Sequence, residues 1–136
     1  MLARNARRIR QALLLMNAAI FGSIAVAALV APRLVAPQYG YTLDSVESFA
    51  QFRAVFTGFW LGLTALMVTA ARRVELTVLG DLAGLFILLQ ACARFASMAL
   101  DGVPRLEFVG AAVGELLVGL TILVIKPRPA AGAAPE

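Results

Sequence analysis

Four long apolar runs, each closed by charged residues or proline, set the pattern of this sequence. The first, Ala12 to Ala31, follows a basic segment and is about as long as a helix must be to cross a hydrocarbon core. Pro32 and Pro37 end it, and Gln38-Tyr39-Gly40-Tyr41 reads as a turn with aromatic anchors at headgroup depth. Asp44 followed by Glu47 has the spacing of a capping box and predicts a helix start just before Phe49. Span two covers about Ser48 to Ala71 and closes with Arg72-Arg73. Span three covers about Val74 to Leu100, with Asp101-Gly102-Val103-Pro104 as its turn. Span four covers about Leu106 to Ile125 and is stopped by Lys126-Pro127-Arg128-Pro129.

The pattern therefore predicts an all-α fold, a four-transmembrane-helix bundle. It divides into a basic N-terminus over 1–11, a membrane domain over 12–126 and a flexible C-terminal tail over 127–136, whose small residues have nothing to bury. The first apolar run exceeds the roughly 7–15 residues of a signal-peptide core and is read as an uncleaved span. Small residues from Ala25 to Ala28 leave cleavage open.

Charge sets the expected orientation. Arg4, Arg7, Arg8, Arg10, Arg72, Arg73, Lys126 and Arg128 flank the spans on one side, against Arg33 and Arg105 on the other, so both termini are expected in the cytoplasm of a bacterial inner membrane. The net charge of +4 is thereby absorbed by topology, and no interleaved basic and aromatic stripe points to nucleic acid. With 61% hydrophobic and 15% charged residues, the chain departs from soluble composition in the direction its runs imply.

Histidine is absent, which excludes imidazole-based metal or haem sites and Ser-His or Cys-His catalysis. The lone Cys92 can form no intrachain disulfide. It and Trp60 read as packing residues. Carboxylates and arginines are left as the strongly polar chemistry, and neither a metal nor a resident cofactor is expected.

Arg94 lies inside an apolar run, where an arginine costs about 2.5–3.5 kcal/mol on insertion scales and needs a partner. On span two Arg53, Thr57, Trp60 and Thr64 share one stripe at helical spacing; on span three Gln90, Arg94, Ser97 and Asp101 do the same. Span four offers Glu115 on a face with Ala111, Ala112 and Gly119. At 1.5 Å per residue, Arg94 lies roughly 10 Å from Asp101 and Glu115 roughly 12 Å from Glu107, so the two are nearly level. The three stripes are expected to meet, with Arg53, Arg94 and Glu115 closing as an ion triad. That triad either fixes helix register or leaves one guanidinium, unless Asp101 turns back to it, for a carboxylate, phosphate or quinone carbonyl. Asp81, at a depth similar to Asn17, is expected to form a polar tie with it on the cytoplasmic side. Gly58-x-x-x-Gly62, Gly80-x-x-x-Gly84 and Gly110-x-x-x-Gly114 are weak signals for close helix crossing.

Three motifs in order, Phe52-Arg53-Ala54-Val55-Phe56-Thr57-Gly58, Ala93-Arg94-Phe95 with Asp101-Gly102, and Gly114-Glu115-Leu116, carry a resemblance over nearly the whole chain. The sequence resembles a family of small bacterial four-helix membrane proteins classed as a domain of unknown function and broadly similar to DoxX-like proteins. Thr57 stands where that pattern has a second glycine, and the outer loop before span two is short. The resemblance implies architecture and the set Arg53, Arg94, Glu115, and no reaction.

The leading functional expectation is a non-enzymatic membrane protein, either an accessory subunit of a larger assembly or homo-oligomer, or a small binder of a lipid or quinone headgroup. A proton-coupled transporter is the second class, although the first span offers Asn17 where small multidrug transporters carry an acid. A redox-partner subunit is the third, and it would need a bound quinone or a partner's cofactor.

Overall fold

A computed structural model describes residues 2–127, with side chains from residue 5 onward. The predicted tail over 127–136 thus falls almost wholly outside the described residues. Helix α1 runs Leu2–Val30; α2, Pro32–Val35, and a 3-10 turn at Ala36–Tyr39 follow. Helix α3, Val46–Arg53, continues through a π-helical turn at Ala54–Phe59 into α4, Trp60–Arg72. Helices α5, Thr77–Asp101, and α6, Leu106–Val124, complete the order. Four stretches, Asn5–Val30, Val46–Arg72, Thr77–Asp101 and Leu106–Val124, are long and apolar enough to cross a membrane, and no strand occurs among the described residues. The outward faces agree: Ile20, Leu61, Leu89 and Leu117 are all exposed, as a hydrocarbon solvent requires.

Two compact units divide the chain. Residues 15–68 form one, and residues up to 14 together with those from 69 form the other.

The second of these is built on α5 and α6, which cross where glycines remove side chains. A Cβ on Gly119 would lie 2.9 Å from the Leu88 amide nitrogen and 3.0 Å from the Gly84 carbonyl oxygen, while one on Gly84 would lie 2.9 Å from Ile122 Cγ2. Of the three predicted glycine motifs, the pair at 80 and 84 is thus packed. Gly62, Gly110 and Gly114 have no neighbour within 4 Å of a built Cβ, and Gly58 meets only a carbonyl of its own helix. The start of α1 ties the ends of its neighbours together: Gln11 Nε2 donates to the free carbonyl of Ala71 at the close of α4, at 3.0 Å. Cys92 is exposed and is not a packing residue as expected; the inward position beside it belongs to Ala91, one step around the helix.

The unit of residues 15–68 is held by aromatic rings. Phe52 stacks on Phe56 at 4.5 Å, Phe56 meets Trp60 at 4.9 Å, and Trp60 meets Phe21 edge-on at 5.1 Å. Tyr39 and Tyr41, expected as interfacial anchors, turn their rings onto Phe56 at 4.8 and 5.5 Å. Gly40 takes φ 78° between them, a conformation that favours glycine. Thr57 Oγ1 donates to the Ala25 carbonyl at 3.3 Å.

The cap of α3 differs from the expected one. Ser45, not Asp44, is the N-cap, with Ser48 as its reciprocal partner, so the helix begins at Val46. Hydroxyls at positions 45 and 48 offer the same reciprocal bonding as Asp44 and Glu47, one residue later.

Candidate functional site

Gln90 and Arg94 lie one turn apart on α5, and both reach Glu115 on α6. Gln90 Nε2 donates to Glu115 Oε1 at 2.9 Å, and Arg94 Nε donates to Oε2 at 2.9 Å. The carboxylate is therefore engaged on both oxygens and mostly buried, with a side chain 13% exposed; Arg94 is 24% exposed. Helical Cβ atoms lean toward the helix N-terminus, so Arg94 reaches away from the nearer end of α5 and deeper along it. While it holds Glu115 it cannot snorkel toward that end. Nη1 and Nη2 of Arg94 have no acceptor among the described residues, and Gln90 Oε1 has no donor.

Asp101, the last residue of α5, does not join this cluster. It accepts from Ser97 Oγ at 3.0 Å and is exposed. Of the expected triad, Arg94 and Glu115 pair, with Gln90 beside them; Arg53 belongs to the other compact unit. Arg53 is exposed within the unit of residues 15–68 and stands over the Phe49 ring at 5.6 Å. A π-helical turn inserts an extra residue into the ladder directly after Arg53. Phe52, Phe56 and Trp60 occupy the inward face there, and the straight stripe expected through Arg53 and Thr57 is broken: Thr57 is buried and Arg53 is not.

A second polar cluster occupies the other end of α5, roughly 20 Å from Arg94 by helix rise. Asp81 Oδ1 accepts from Arg10 Nη2 at 2.7 Å and Oδ2 from Lys126 Nζ at 3.0 Å. Both Asp81 oxygens thus carry a cation. Asn17 is buried on α1 in the other unit. Arg10 is 1% exposed, and two more of its donors go to the carbonyls of Thr77, at 2.8 Å, and Ile125, at 3.4 Å. Gly80 makes room for it: a Cβ there would fall 2.9 Å from Arg10 Cζ and closer still to Nη2.

Sequence reading assigned Arg10 to the flanking charges that set topology and missed this role. Its signal was nonetheless present, since Arg10, Leu14, Asn17, Phe21, Ala25 and Ala28 recur at helical spacing and are all buried.

No group of three or more metal-ligating side chains occurs among the described residues. What the site offers chemically is one guanidinium with two unspent amino groups beside a carboxylate that holds one donor on each oxygen. It can bind an acceptor.

Residues 9–126 match the family model described as Domain of unknown function (DUF4345), and the chain belongs to that family. No curated protein and no solved structure matches it.

Proposed function

We propose that this multi-pass membrane protein is a non-enzymatic accessory subunit, which docks on a partner protein within the membrane through Arg94. The observation that carries the reading is the donor count at Arg94. One N–H of five is spent on Glu115, and the others have no acceptor among the described residues, at a depth where unsatisfied polar groups cost several kcal/mol, of order 2.5–3.5 for an arginine at a helix centre. A carbonyl or carboxylate on a neighbouring helix removes that cost, at about 0.6–2 kcal/mol per interhelical hydrogen bond. Near Glu115 on α6, Ala111 one turn before it and Gly114 next to it are exposed, and Gly114 has nothing within 4 Å of a built Cβ, so a second backbone has room to come close.

The basic residues around Arg4 to Arg10 and at Arg72-Arg73 favour a membrane with both termini in the cytoplasm, as in a bacterial inner membrane. Glu115 serves as the anchor that holds the guanidinium in place, and Gln90 supports the anchor.

The test is gentle purification of the full chain from its own membranes, followed by native electrophoresis and identification of stoichiometric companions. The wild type is expected to migrate well above its 14.4 kDa monomer with a second protein. Arg94→Ala is expected to lose that companion while circular dichroism shows unchanged helix. A wild type that runs as a lone monomer or homo-oligomer, or a companion retained by Arg94→Ala, refutes the assignment.

A further inference from the structure

Arg33 and Arg53 both stand over one ring, Phe49, with guanidinium carbons 5.4 and 5.6 Å from its centroid. Arg33 lies in α2, three residues past the end of the first span, and Arg53 closes α3 at the beginning of the second. Between them runs an open groove of about 660 Å³ within the unit of residues 15–68, with Val30, Leu34 and Val46 among its walls and no acidic side chain in its lining.

Neither arginine has an ion pair or a hydrogen bond among the described residues; the ring contacts are all that holds them. The nearest acids in sequence, Asp44 and Glu47, are exposed and lie outside the lining, because Val46, Phe49, Ala50 and Arg53 share the groove face of α3 at helical spacing. Two cations thus converge on one aromatic ring with their donors unspent and no counter-charge.

We infer that this groove binds the phosphate of a net-anionic glycerophospholipid, with one acyl chain laid on the apolar wall. Charge decides the headgroup. Two guanidinia match phosphate oxygens in fork geometry, and a zwitterionic lipid would bring its own cation into an already positive site. The wall decides in favour of a lipid over a free anion. Val30, Leu34 and Val46 are exposed to 77, 72 and 81%, and Val26, one turn below Val30 on α1, extends the same apolar track toward the span. A free anion would use none of it. The location suits the assignment, since both arginines sit where a span meets its loop, the level of lipid phosphates.

The experiment is native mass spectrometry of the full chain in detergent, with equimolar phosphatidylglycerol and phosphatidylcholine of matched chains. The wild type is expected to carry phosphatidylglycerol in preference by at least roughly fivefold, the range for two charge-assisted contacts with guanidinium. Arg33→Gln with Arg53→Gln is expected to bring the ratio close to one, and Arg8→Gln, at an exposed residue elsewhere, to leave it unchanged; circular dichroism checks that each variant keeps its helix. Millimolar inorganic phosphate is expected to leave the adduct in place. Equal retention of the two lipids by the wild type, a preference that survives in the double variant, or displacement by inorganic phosphate would each overturn the assignment.

Discussion

Gly119→Ala tests whether the crossing of α5 and α6 holds the Glu115 cluster together. The added Cβ would meet the Leu88 amide nitrogen at 2.9 Å, the Gly84 carbonyl oxygen at 3.0 Å and Leu88 Cα at 3.1 Å. All three are backbone atoms and cannot swing aside, so the helices must part by roughly 0.5 Å to restore ordinary contact. A gap of that size forfeits about a quarter of a dispersion well of about 0.1–0.2 kcal/mol per atom pair, and over some tens of pairs along the crossing the loss reaches about 1–2 kcal/mol. Overpacking in a close-packed interior independently costs about 1–3 kcal/mol. Against this stands a gain in helix propensity of at most about 1 kcal/mol for Gly→Ala.

Gly110→Ala isolates the packing contribution. It lies on the same helix and carries the same propensity gain, but nothing lies within 4 Å of its built Cβ. Equilibrium unfolding in mixed detergent, followed by circular dichroism, is expected to place Gly119→Ala about 1–2 kcal/mol below the wild type and Gly110→Ala level with it or up to about 1 kcal/mol above. The packing argument is wrong if the two variants shift alike.

At the other end of α5, Asp81→Ala is expected to cost about 3–5 kcal/mol by leaving Arg10 buried without its carboxylate, whereas Asp81→Ala combined with Arg10→Met recovers most of that loss in the same unfolding assay. Recovery fails if Arg10 is held chiefly by the Thr77 and Ile125 carbonyls. Cys92, exposed on the outward face of α5, is expected to react with a maleimide faster in detergent than in bilayers, where hydrocarbon keeps water and reagent from that face; equal rates, read by mass shift, would show that the face is wet.

The four spans were legible because a bilayer requires long uninterrupted apolar runs, and each run ends at charges or proline. Gln90, Arg94 and Glu115 were legible as neighbours because depth along two helices sharing a short turn can be counted in residues. The break in the stripe of Arg53 and Thr57 was not legible, because that counting assumes a uniform helix, and the π-helical turn at Ala54–Phe59 has no mark in the residue pattern. The cations on Asp81 were missed for a different reason. Depth gave Asp81 a level, but several residues share that level, and Arg10 and Lys126 are the two that reach its oxygens. Arg10 itself was hidden among four arginines near the N-terminus that all read as topology signals, although it continues the buried stripe of Leu14 and Phe21.

An arginine in an apolar helix does not by itself mark a function, and the two clusters on α5 separate the cases by donor accounting. Arg10 spends Nη1 on Ile125 and Nη2 on both Thr77 and Asp81, is closed off at 1% exposure, and has Gly80 pressed against its guanidinium. Nothing else can reach it, so its effect is confined to holding α1, α5 and the end of α6 together, within the unit it belongs to. Arg94 spends only Nε, is 24% exposed, and is held by a carboxylate that Gln90 also engages. A residue prepared in that way raises the cost of being left alone in lipid, and by the same amount it favours whatever brings an acceptor. The same accounting applied to Arg33 and Arg53 finds no donor spent on protein among the described residues, which is why that groove, and not the buried pair at Asp81, is the second place we propose for a bound molecule.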